Sequence, residues 1–130
     1  MKGEFMPNLV GKKANMEHSV EPGDTAVAVR SGTVEVLGTP TLLAWLEEAT
    51  VRAVADELAP GSTTVGTEVS LRHLRASAVG SRVHVAAEVA AQDRSFIDFA
   101  VIATTPEGAV VAEGVVRRAV VDVERFLQRI

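Results

Sequence analysis

Two carboxylates stand side by side at Glu47 and Glu48, inside a run of helix formers, TLLAWLEEATVRAVADEL. Successive helical residues point about 100° apart, so the two cannot share an environment. Glu48 has Arg52 four residues on, in the favourable acid-before-base order, with Ala44 and Ala55 nearby. It reads as a solvated ion-pair residue. Glu47 has Leu43 and Val51 four residues away on either side, Ala44 and Thr50 at three, and Val54 at seven. No basic residue of the helix reaches it. A carboxylate on an apolar stripe is costly unless it is hydrogen-bonded or put to use. Two readings stand: a helix-edge glutamate whose carboxylate reaches water, or a desolvated carboxylate able to act as base or nucleophile.

The second group with chemical potential is His73. In a strand from Val65, alternate residues share a face. Val65, Thr67, Val69, Leu71 and His73 then lie together, with Gly66, Glu68, Ser70 and Arg72 opposite. His73 should point into the core or a cleft, either as a satisfied core histidine or as a proton carrier. His84 alternates with Val83 and Val85 and should be exposed, and His18 is uninformative. Three scattered histidines and no cysteine give no metal-ligand spacing, so no metal is expected.

Thr39 precedes Pro40, the expected order for a helix N-cap followed by proline. The first helical turn offers unpaired N–H groups and the positive dipole end, suited to polarising a carbonyl. Arg117 and Arg118 are adjacent in a strand-like run, so at most one faces inward. There is no nucleophile elbow, phosphate-binding glycine loop or dinucleotide fingerprint.

These residues need elements to hold them. The spacing predicts one long helix from about Pro40 to Leu58, stopped by Pro60-Gly61. Strands are expected over about His18–Arg30, Val65–Leu74, Arg82–Ala91, Ser95–Thr105 and Ala109–Val121, with short turns between the last four that favour an antiparallel meander. A last short helix over Asp122–Ile130 would align Val123, Phe126, Leu127 and Ile130. Residues 1–16 read as a partly ordered arm, and 17–130 as a single domain. The helix is apolar on more than one side, and the strands are apolar on both faces in places, as at Val110-Val111 and Val115-Val116. A second copy of the chain is the economical cover, so a homodimer is expected.

The whole chain is consistent with this. Its 130 residues and 13.7 kDa suit one domain with its own core. Thirteen basic and 17 acidic residues leave a net charge of −4, which makes nucleic acid an unexpected partner. No apolar run approaches the ~18 residues of a membrane span, and MKGEFMPNLVGKK lacks the apolar core of a signal peptide. A cytoplasmic protein is expected.

At this point the chain resembles the hot-dog-fold thioesterases, and within them the fluoroacetyl-CoA thioesterase family. The likeness covers roughly residues 20–127. It is carried by Gly38-Thr39, by LEEATVRAVADELAPG from Leu46, by VGTEVSLRH from Val65 to His73, and by EGVVRRAVVDVERF. It implies an α+β hot-dog fold, an antiparallel sheet wrapped around one long central helix. It implies an acyl-CoA thioesterase acting at a dimer interface, in a homodimer or a dimer of dimers. Coenzyme A would enter only as part of the substrate, with no further cofactor. The family's threonine, glutamate and histidine fall on Thr39, Glu47 and His73 as catalytic residues. Its acyl-bordering glycine falls on Gly66, and its last-strand arginine on Arg118, which would favour the coenzyme A phosphates. The stretch before the threonine, RSGTVEVLG, is short and has no aromatic residue, unlike fluoroacetyl-specific relatives, so another short acyl-CoA is the expected substrate. The competing class is a module that binds acyl-CoA without cleaving it. A hydratase on the same fold would need an Asp/His pair at the helix start, and none is found. One geometric tension remains. Eight helical residues hold Thr39 and Glu47 about 12 Å apart along the axis. They meet only if the segment before about Leu43 folds back, or if one comes from a partner subunit.

Overall fold

The computed structural model describes residues 6–130. Five strands, β1 (Lys13–Ser19), β2 (Ser62–His73), β3 (Arg82–Asp93), β4 (Phe96–Thr104) and β5 (Val110–Asp122), form one sheet in the order β1-β3-β4-β5-β2. Every pairing is antiparallel. Helix α1 (Thr39–Val54) packs across one face, and a short α2 (Val123–Gln128) follows β5. This is the α+β arrangement expected, with one sheet around one long helix.

The inner face is built by alternation. Val83, Val85, Ala87 and Val89 of β3 and Ile97, Phe99, Val101 and Ala103 of β4 are buried against Leu42, Leu46, Ala49 and Ala53 of α1. Fully burying the Val, Leu, Ile and Phe side chains among them contributes roughly 1.5–3 kcal/mol each. The helix lies mainly over β1 and β3 and less over β4 and β2. Its second apolar stripe stays partly bare, with Val51 39% exposed. So does the inner face near the sheet's β2 edge, where Val69 is 40% exposed.

Several expectations need correction. The strand expected over His18–Arg30 is instead Lys13–Ser19, so the last four residues of the expected arm, Lys13 to Met16, are part of the sheet. The alternation Lys13, Asn15, Glu17 outward and Ala14, Met16, His18 inward marks this edge strand. The arm's first five residues lie outside the described residues. Beyond Val20, Glu21 and Asp24 close a reciprocal capping box around Pro22, and the chain turns away from the sheet. Residues 20–38 form a loop over the helix start, tied down by bridges at Thr25–Leu37 and Val36–Ala78. The meander holds for β3-β4-β5, but β2 crosses the sheet to pair with β5. The helix also tightens earlier than expected, passing into a 3-10 turn over Ala55–Glu57.

Candidate active site

Glu47 sits half-buried, its side chain 34% exposed, on the stripe between Leu43 and Val51. Its partner comes from β5: Arg118 Nη1 donates to Glu47 Oε2 at 3.2 Å. Both earlier readings were incomplete, because the helical pattern could not see a base on another element. Glu48 is solvated as expected, accepting from Arg52 Nη2 at 3.0 Å. Arg117 and Arg118 do face opposite ways. Arg117 lies on the outer face with Asp98, in a two-bond pair at 2.8 and 3.1 Å that holds the Asp98 carboxyl below its usual range. Arg118 points inward and is 7% exposed. Burial pulls its pKa down, opposed by the Glu47 charge. Its guanidinium is engaged by Thr64 and Glu47, where the resemblance implied a hold on the coenzyme A phosphates.

Gly66 lies under the same pair. A Cβ placed there would come within 2.8 Å of Glu47 Oε2 and 3.4 Å of Arg118 Nη1. This corrects the facing expected for β2. The register with β5 slips between Gly66 and Glu68, and Thr67 is left without a partner. Such a bulge inserts one extra residue and inverts the alternation beyond it. Gly66, opposite Arg118, therefore shares the inner face with Val69, Leu71 and His73, while Val65 and Thr67 do not.

Thr39 and His73 form a second group. Thr39 is not the N-cap. Gly38 caps the helix without a side chain, Thr39 is the first helical residue, and Pro40 is the second. The Thr39 hydroxyl is free of capping and lies 2.7 Å from His73 Nδ1. His73 Nε2 is buried with no partner among the described residues. Desolvation pulls the ring's pKa below the ordinary 6.5, offset in part by the backbone of Arg75. The ring is therefore neutral at pH 7 and can accept a proton. The pair opens on a cavity of about 340 Å³ lined also by Ala26, Val34, Val36 and Leu37 from the loop.

Within one chain the two groups stay apart. Regular helix begins at Thr39, so no segment folds back, and Thr39 and Glu47 remain about 12 Å apart along the axis. One participant was missed at the sequence level. Thr64 is 6% exposed and accepts from Arg118 Nε at 2.8 Å through its hydroxyl and from Nη2 at 3.0 Å through its carbonyl. Its only signal in the chain was a place two residues before Gly66, on what proves to be the same face. Among the described residues no group of three His, Asp or Glu could hold a metal ion, and no helix is long and apolar enough to cross a membrane.

Comparison with solved structures gives the class first. A thioesterase-superfamily protein from Thermus thermophilus has the same fold, at TM-score 0.86 and 22% identity over 95% of this chain and 94% of that one. A hot-dog-like protein from Thermanaerovibrio acidaminovorans matches at 0.85 and 26% identity, over 95% and 90%. The fluoroacetyl-CoA thioesterase FlK matches at 0.87 and 26% identity, over 95% of both chains. The fold is that of the hot-dog thioesterases. Residues 20–124 match the model of the FlK family, described as fluoroacetyl-CoA-specific thioesterase, and the chain belongs to that family. It is a thioester hydrolase. No curated protein matches it.

Proposed function

We propose that the protein hydrolyses a short-chain acyl-CoA thioester in a site completed between two copies of the chain. The observation that carries this reading is the carboxylate of Glu47, held by a buried arginine above bare glycine backbone. A positioned carboxylate is what acyl transfer from a thioester requires. Thr39 with His73 would supply the proton transfers.

The chemistry follows from these groups. Glu47 attacks the thioester carbonyl carbon, or takes a proton from the water that does. The tetrahedral oxyanion that forms needs N–H donors, and the helix start at Thr39 supplies them. The C–S bond then breaks and coenzyme A leaves as a thiolate; the proton given up by the hydrolytic water passes through Glu47 or the neutral His73 to that sulfur. If Glu47 was the nucleophile, water next cleaves the acyl anhydride and restores the carboxylate. Arg118 keeps Glu47 aimed throughout. The cavity beside His73 is small, about 340 Å³, which supports a short acyl group over a long one.

A second subunit accounts for the separation of the two groups. Val51, one turn along the helix from Glu47, and Val69, on the inner face of β2, are uncovered, and the outer edge of β2 lies at the margin of the sheet. A copy paired there would cover this apolar surface and bring its Glu47 towards this chain's His73. The test is free-thiol release from a panel of acyl-CoA esters, with Glu47→Gln alongside. Release from short-chain members, reduced at least a hundredfold in the variant, is the expected result. No thiol from any ester, or full activity in the variant, would overturn the reading.

A further inference from the structure

Arg118 is a buried cation with three of its five N–H donors assigned, and two of those three go to a single residue. We infer that Thr64 is the positioning residue of this site, aiming the Arg118 guanidinium at the Glu47 carboxylate. The inference rests on the proposed hydrolase reading and deepens it.

The geometry is specific. Nε donates to Thr64 Oγ1 at 2.8 Å, Nη2 to Thr64 O at 3.0 Å, and Nη1 to Glu47 Oε2 at 3.2 Å. A guanidinium is planar, so two anchors on one residue fix the plane and the direction of its remaining edge. Arg118 pairs directly with Gly66, while Thr64 pairs with Val120 and stands on the diagonal. The arginine thus reaches along β2 to Thr64 with Nε and Nη2 while Nη1 stays over Gly66 beside the carboxylate. The space above the glycine is filled by this pair, Glu47 Oε2 lying 2.8 Å and Arg118 Nη1 3.4 Å from where a Cβ would stand. Without the Thr64 hydroxyl, Nε–H would lose its partner in a buried site, where an unpaired donor is costly. The guanidinium would turn to satisfy it, and Glu47 would move with it. Thr64 touches no reacting atom, so its effect should appear in turnover and depend on Glu47.

The experiment is a double-mutant cycle read by steady-state hydrolysis of the best acyl-CoA substrate. Thr64→Val should lower kcat at least about tenfold and leave KM within about twofold, because misplacement of a catalytic group by under 1 Å is that costly. Thr64→Ser, which keeps the hydroxyl, should stay within about threefold of wild type. In a Glu47→Gln background, adding Thr64→Val should cost no more than about twofold. Equal losses in both backgrounds, or Thr64→Ser as impaired as Thr64→Val, would show a merely structural role and overturn the inference. So would a rise in KM alone. If Thr64→Val does not fold, Thr64→Ala takes its place in the same cycle. A wild type inactive on every ester overturns the hydrolase reading and this inference with it. An active wild type with an unaffected Thr64→Val overturns this inference alone.

Discussion

A glutamate on a half-apolar helix surface has nothing on its own helix to hold it still. Here Arg118 Nη1 donates to it, and the bare backbone of Gly66 allows the close approach. Gly66→Ala is therefore expected to displace the carboxylate, because its Cβ would stand 2.8 Å from Glu47 Oε2. The obstructed atom is the end of a flexible side chain, so folding is barely affected. Turnover should fall roughly ten- to a hundredfold while the melting temperature stays within a few degrees. His73 makes a second prediction. Its pKa in the fold lies below 6.5, so the unfolded chain takes up more protons as the solution is acidified. The stability this contributes is whole above the unfolded value of about 6.5 and is lost as the pH falls from there through the lower pKa of the fold. Melting temperatures of wild type should drop more steeply on acidification than those of His73→Gln. Parallel curves would remove His73 from the account.

At the scale of elements, β2 decides which groups can meet. Its bulge between Gly66 and Glu68 puts Thr64 and Gly66 on the same face as His73, seven residues further on. The partner strand pays for close packing elsewhere. Gly114 of β5 faces Leu71 across the ladder, and a Cβ there would enter the contact shell of the Ser70 carbonyl oxygen and lie 2.9 Å from Leu71 Cα. Both obstructions are backbone and cannot swing aside. Gly114→Ala should destabilise the fold by about 3 kcal/mol, at the upper end for overpacking, and lower activity through loss of folded protein. Chemical denaturation measures it. A variant as stable as wild type would show that β2 can shift freely, and with it the placement of Gly66 and His73.

The whole molecule supplies a test that no single subunit can. If Glu47 of one copy works with His73 of the other, Glu47→Gln and His73→Gln homodimers should both be inactive, yet a subunit-exchanged mixture should regain activity. Half of a random mixture is heterodimer, and each heterodimer holds one intact site, so about a quarter of wild-type turnover is expected. No recovery after confirmed exchange would place the complete site within one chain. Light scattering should give twice the 13.7 kDa chain mass at micromolar concentration.

Local pattern was enough for the long helix, the four later strands and the distinction of Glu47 from Glu48, because each depends on neighbours a few residues away. The spacing of Thr39, Glu47 and His73 was legible through family resemblance, and the opposed facing of Arg117 and Arg118 through simple alternation. What the chain alone left undecided was set by contacts distant in sequence. The Glu47–Arg118 pair joins residues 71 apart, and the Thr64 anchor joins residues 54 apart. The bulge that turns Gly66 inward is an accommodation between two strands, and neither strand's sequence encodes it by itself. Thr39 was read as a cap because local rules favour it there, and only the packing of β2 against the helix start offered its hydroxyl a histidine instead. Periodicity records which way a residue faces within its own element; what it then meets is decided by how the elements are brought together.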